Sequence, residues 1–117
     1  MLVDVRGGRL PTDTYKQLDL GDRCIWYRGV PSFPTAYNNN YQILQNEDFV
    51  AILQEHIHDV RFIALDGRSH MPDSIRQYAG DSRGHWEGNT LVVETTHFNH
   101  HAFIRNFNSN LSEDLHV

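Results

Sequence analysis

The sequence predicts a mainly β fold: an antiparallel meander forming a curled sheet or partial barrel, with few short helices. Three observations predict it. Apolar and β-branched runs recur as "YQILQ", "FVAILQEHI", "VRFIAL" and "TLVVETTHF", which is strand composition. Between them stand short turn peptides, "NED", "DGRS" and "GN", which suit hairpin connections. The chain has 117 residues, enough for one domain with one core and too few for two.

Taken in order, residues 1–23 form a flexible or short helical N-terminal segment, and residues 24–117 form the β core. "RGGRLPTD" is a loose start, and "TDTYKQLDLGDR" holds a helical turn or a short helix closed at Gly21. "CIWYRGV" is a β-type run that stops at Pro31. "PSFPTAYNNN" reads as a shaped loop braced by its three asparagines. "YQILQ" and "FVAILQEHI" make a hairpin across "NED", and "VRFIAL" follows before "DGRS". Residues 71–84 are polar and broken by Pro and Gly, with room for a short helix near 73–78. "HWE" and "TLVVETTHF" flank Gly88 and Asn89, where glycine supplies the positive φ of a tight hairpin. Trp86 reads as a core anchor. The end, "NHHAFIRNFNSNLSEDLHV", loses alternation and is expected to cross the mouth of the sheet, with "LHV" able to start another strand. An open sheet of five or six strands leaves two edges, so a homodimer is expected.

Composition narrows the function classes. At 39% hydrophobic and 21% charged residues, the chain is neither disordered nor membrane-embedded. The net charge is −5, with no block of Lys or Arg, so neither nucleic acid nor membrane is an expected partner. Lys16 is the only lysine; the arginine bias suits planar contacts to carboxylates. "LVDVRGGRLPTD" after Met1 lacks the basic and apolar regions of an export signal. Cys24 is the only cysteine, which excludes an intrachain disulfide and makes it most simply a buried small hydrophobe. Eight histidines are the first sign of chemistry.

The densest candidate stretch is "QEHIHDVRFIALDGRSH". In an extended strand His56 and His58 project to one face, opposite Glu55, Ile57 and Asp59. Two such histidines can grip one metal ion with a third ligand from "TLVVETTHFNHH", which gives His56, His58, His97 and His101 as the metal set and Cu or Zn as the ion. The metal-free reading pairs His58 with Glu55 or Glu94 for proton transfer, adds His70, and assigns Arg61 and Arg68 to a substrate carboxylate or oxyanion. The plain reading leaves the histidines on a water face and Asp59, Arg61, Asp66 and Arg68 as structural ion pairs, with Asp66 pinning its turn. "GDSRGHWEGN" lacks the spacing of a nucleophile elbow, and no phosphate-binding glycine motif occurs.

"YNNNYQILQ", "HDVRFIALDGRSH" and "GDSRGHWEGNTLVVETTHFN" resemble the core of a large, mostly uncharacterised and often exported bacterial family. Its members usually read "GDSRGRWEGDTLVVETTNF" there. The resemblance spans about residues 20–117, and it implies a lipocalin-like barrel and an exported or periplasmic setting; relatives carry additional strands after the position of "SEDLHV", which implies either a shortened form or a fragment that completes its barrel by association. His56, His97, His100 and His101 depart from the family pattern, so a site built on them belongs to this protein. The functional expectation is a small β-barrel-type enzyme with a His/carboxylate pocket, acting on a small molecule or sugar. The alternatives are a non-catalytic lipocalin-like binding module for a small apolar or aromatic ligand, and an interaction domain of a larger exported protein.

Overall fold

The computed structural model describes Tyr15, Leu18 and residues 20–27, 36–100, 103–104, 109–110 and 112–117, with backbone alone at 103–104 and 109–110. Five strands form one sheet in the order β1-β2-β3-β4-β5: β1 (Tyr41–Gln45), β2 (Phe49–Gln54), β3 (Val60–Ala64), β4 (Asp81–Glu87) and β5 (Thr90–Thr96). A separate pair, β6 (Phe103–Ile104) and β7 (Ser109–Asn110), follows. The sheet is mainly β and open, and no α-helix forms among the described residues.

The first three strands follow the sequence pattern. Asn46 Oδ1 accepts the backbone N–H groups of Asp48 (2.9 Å) and Phe49 (2.8 Å), a side-chain-closed turn that sets Ile43 opposite Ile52. β2 then pairs antiparallel with β3, Ile52 opposite Arg61.

The strand expected through "QEHIHD" ends early. β2 stops at Gln54, whose N–H meets Asp59 O at 2.8 Å, so residues 55–58 must reverse the chain. They do so as a 3-10 turn over His56–His58, with Ile57 at φ 58° and His58 at φ 49°. No glycine is there to take the left-handed positions, which cost roughly 1–2 kcal/mol each for an L-residue. The i, i+2 face-sharing of His56 and His58 is lost with the strand.

A second correction concerns direction. β4 runs parallel to β3, through Ile63↔Ser82 and Ala64↔Arg83 only, so the sheet is mixed and not a pure meander. A parallel partner requires a crossover, and residues 65–80 supply it without the short helix expected near 73–78. There Gln77 N–H binds His97 O (3.0 Å) and Asn99 N–H binds Gln77 O (2.8 Å), so backbone groups a helix would need are committed to a bridge with Phe98. "DSRG" joins β4, and the hairpin to β5 turns at Gly88 (φ 61°), with only the first central residue left-handed, as in a type II′ turn.

The core has two parts. Val50, Ala51, Ile63 and Ala64 are buried within the sheet, while Trp26 and Phe98 pack with Leu20, Tyr78, Ala79 and Leu115. Full burial of a side chain such as Ile63 or Phe98 contributes about 1.5–3 kcal/mol. Trp86, expected as an anchor, is 46% exposed on the β4–β5 hairpin, and Trp26 takes that role. Cys24 is exposed, at φ 55° in the turn over residues 20–24. Residues 24–27 of "CIWYRGV" enter no strand; its remainder and most of the N-terminal segment lie outside the described residues. At the far edge, Val117 and Thr95 exchange two backbone hydrogen bonds (2.9 and 3.1 Å), so "LHV" does meet the sheet. β1, at the other edge, is exposed along its whole length.

Candidate metal centre

The β4–β5 register sets Asp81 opposite Thr96 and Arg83 opposite Glu94, so these four side chains share one face. The crossover brings His70 onto that face, and the chain leaving β5 adds His97. One ligand atom each from His70, Asp81 and His97 lie within 4.8 Å of one another. Asp81 is 5% exposed. Its Oδ2 accepts Met71 N–H (3.0 Å) and lies 2.9 Å from His70 Nδ1, while Oδ1 is 3.0 Å from Arg83 Nη2. In the Nδ1–H tautomer His70 donates to Asp81, which leaves the Nε2 lone pair for another partner. Nε2 is buried, has no hydrogen bond among the described residues, and stands 3.6 Å from Glu94 Oε2.

His97 stacks beside His70, ring centroids 5.7 Å apart. Its Nδ1 is 2.6 Å from Thr96 Oγ1 and its Nε2 is 3.0 Å from Asp73 Oδ1. A tetrahedral Zn with bonds near 2.1 Å sets its ligands roughly 3.4 Å apart. Binding therefore requires the three side chains to draw inward, with His97 giving up a contact to an aspartate that is almost fully exposed.

The other expected site residues disperse. His56 is buried with its ring stacked on Tyr27 (4.0 Å), while His58 is exposed beside a concavity of about 340 Å³ that Tyr41 and Leu53 also line. Glu55 braces the loop instead of a histidine: its Oε2 accepts Asn40 N–H (3.3 Å) and Nδ2 (2.9 Å). Arg68 pairs with Asp66 across the turn, and that hydrogen bond holds the Asp66 carboxyl below its usual value and raises the Arg68 guanidinium. Glu94 sits at the rim, also 3.9 Å from His116. His101 lies outside the described residues. Of the residues expected in a site, the fold thus gathers His70, His97 and Glu94, and it adds Asp81. A signal for Asp81 was present: counting back from Gly88–Asn89 sets it opposite Thr96, next to His97.

Arg61 occupies different surroundings. Its Nε donates to Ser82 Oγ (3.3 Å) and its Nη2 to Thr95 Oγ1 (2.7 Å), hydroxyls that are 2.8 Å from each other. No carboxylate pairs with it among the described residues, and burial pushes its guanidinium below the usual value. A cavity of about 330 Å³ opens where β3 and residues 77–82 part, lined by Arg61, Arg68, Arg83 and Asp81 together with Val60, Phe62 and Met71. Asp81 is common to this cavity and the histidine cluster.

Compared with known proteins, the chain matches no family model, no curated protein and no solved structure.

Proposed function

We propose that this protein binds one divalent transition ion through His70, Asp81 and His97 and works as a small β-sheet enzyme on a small molecule held in the adjoining cavity. The observation that carries the reading is the convergence of three ligand atoms from three separate stretches within 4.8 Å, beside a buried His70 Nε2 that makes no hydrogen bond among the described residues. Two histidines and one carboxylate leave a coordination position open, as catalytic zinc sites do, which favours Zn over Cu. A bound zinc ion supplies Lewis acidity and lowers the pKa of a bound water to about 7. Arg83 neutralises Asp81 and fixes its orientation, and Glu94 offers a carboxylate at the rim for proton transfer.

The test is elemental analysis and zinc titration of untagged protein. One ion per chain is expected. His70→Ala and His97→Ala should each weaken binding by more than the roughly 10- to 100-fold that an outer partner costs, while the double variant His56→Ala/His58→Ala binds as wild type. Zinc that leaves with the His56/His58 pair and stays in His70→Ala would sink the assignment.

The proposal extends to assembly. Among the described residues no strand pairs with the outer edge of β1, where Ile43 is 64% and Leu44 52% exposed, so an isologous, antiparallel β1–β1 contact between two copies would cover that edge. Sedimentation of wild type against Ile43→Lys tests it; a monomeric wild type refutes it. The resemblance to exported bacterial proteins rests on the sequence motif alone. A non-catalytic binding module is the second reading, favoured by the concavity beside Tyr41, Leu53 and His58; saturable binding of an apolar dye there, without zinc uptake, would select it.

A further inference from the structure

Three arginines line one small cavity, and their partners differ. Arg68 has Asp66 and Arg83 has Asp81. Asp48, also in the lining, acts on Arg68. Arg61 is left with two hydroxyls and no carboxylate among the described residues. A guanidinium partly withdrawn from water without an anion is an unfavourable arrangement unless something else supplies the charge. Each of two arginines also keeps a donor in reserve: Arg61 Nη1 makes no hydrogen bond among the described residues, and Arg83 Nε is buried without a partner.

Apolar side chains share the lining, Val60 and Phe62 flanking Arg61 on β3. Phe62 stacks on Phe49 with ring centroids 4.6 Å apart, yet remains 56% exposed, and Val60 is 50% exposed. Both line the same cavity as Met71 and Ala64. A concave site with apolar walls and a few fixed charged donors is the usual form of a small-ligand pocket. Arginine's planar fork matches carboxylate and phosphate oxygens in particular.

We propose that this cavity binds a small organic anion, a carboxylate or phosphate ester with an apolar body, its acidic group met by Arg61 with Arg83 alongside and its body laid on Phe62, Val60 and Met71. This names the ligand class of the proposed enzyme's cavity and rests on that reading for its meaning in catalysis, while the binding itself requires no ion. The anion supplies the charge that Arg61 lacks. Because Asp81 borders both sites, the ligand lies next to the histidine cluster.

The experiment is calorimetric titration of the full chain with benzoate and with phenyl phosphate, in chelator-treated and in zinc-supplemented protein. Chelator-treated wild type should take up one equivalent of at least one of them, the tighter one identifying the head group. Arg61→Met should weaken that binding about 10- to 100-fold, the range for losing a hydrogen-bonded charge. Arg61→Lys, which keeps the charge without the fork, should recover it in part. Arg76→Gln, on the surface against Glu113, should bind as wild type. Should Arg61→Met fail to fold, the Nε–Hε resonances of Arg61 and Arg83 in wild type give the answer: they shift on titration if the proposal holds. Wild type that binds neither anion, unmoved resonances, or a folded Arg61→Met that binds as tightly as wild type would each overturn it. Anion binding without zinc uptake removes the metal reading and keeps this one; zinc uptake without anion binding does the reverse.

Discussion

Gly80→Ala is the sharpest test of how the crossover is seated. Gly80 has φ +70°, and a Cβ placed there would lie 2.7 Å from Thr96 O, 2.8 Å from Thr95 Cγ2 and 2.9 Å from Phe98 Cε1. The nearest of these is a backbone atom in β5 and cannot swing aside. Left-handed backbone costs an L-residue about 1–2 kcal/mol, and forcing a methyl into a packed site adds about 1–3 kcal/mol, so the total is about 2–5 kcal/mol. Gly88 is the matched control. It has φ +61° with nothing within 4 Å of a built Cβ, so Gly88→Ala should cost the backbone share alone, about 1–2 kcal/mol. At about 4 °C per kcal/mol for a domain of this size, Gly80→Ala should lower Tm by about 8–20 °C and Gly88→Ala by about 4–8 °C. Thermal melts followed by circular dichroism, with urea titrations for comparison, measure both. Equal losses in the two variants would show that residue 80 is not pressed against β5, and the placement of Asp81 beside His97 would fall with it.

Asp81→Asn should destabilise by about 3–5 kcal/mol, because it leaves the Arg83 guanidinium without its anion in a largely buried setting; urea denaturation showing a loss below about 1 kcal/mol would mean the pair is well solvated. Asp66, whose carboxyl Arg68 holds below its usual value, contributes stability that is present above the unfolded-state pKa of about 3.9 and is lost as pH falls through the lower folded value. In an NMR titration Arg68→Gln should move the Asp66 midpoint upward, and an unchanged midpoint would contradict the pairing.

Local pattern made β1, β2, β3 and the β4–β5 hairpin legible, since each depends on alternation and on turn residues within a few positions. It failed where the deciding partner is distant. "DSRG" looks like loop because Asp81, Ser82 and Arg83 are polar. Ser82 is nonetheless buried by its hydrogen bond to Thr95, and Asp81 by His70, Met71 and Arg83. The parallel pairing of β3 with β4 has no local signature at all. His56 and His58 misled for the opposite reason: strand composition continues through them, and the reversal is imposed by Gln54 meeting Asp59 despite the lack of a turn residue. The histidine surplus did point to candidate metal chemistry, and His70 and His97 were both in view. Asp81 was not, because its place beside His97 emerges only from the hairpin register.

The narrow join between β3 and β4 has a kinetic consequence. Residues 41–64 and residues 81–96 are each held by contacts close in sequence, so each can form early. Their docking must wait for the sixteen residues 65–80 to close a loop that the two ladder pairs Ile63↔Ser82 and Ala64↔Arg83 and the Arg61 hydrogen bonds to Ser82 and Thr95 then secure. With two paired positions against five or more at every other join of the sheet, this seam is expected to open first, and the arginine cavity has walls on both of its sides. Anything bound there acts as a clasp: occupancy slows the parting of the two halves, and amide exchange at Ile63, Ala64 and Ser82 becomes a direct record of whether the cavity is filled.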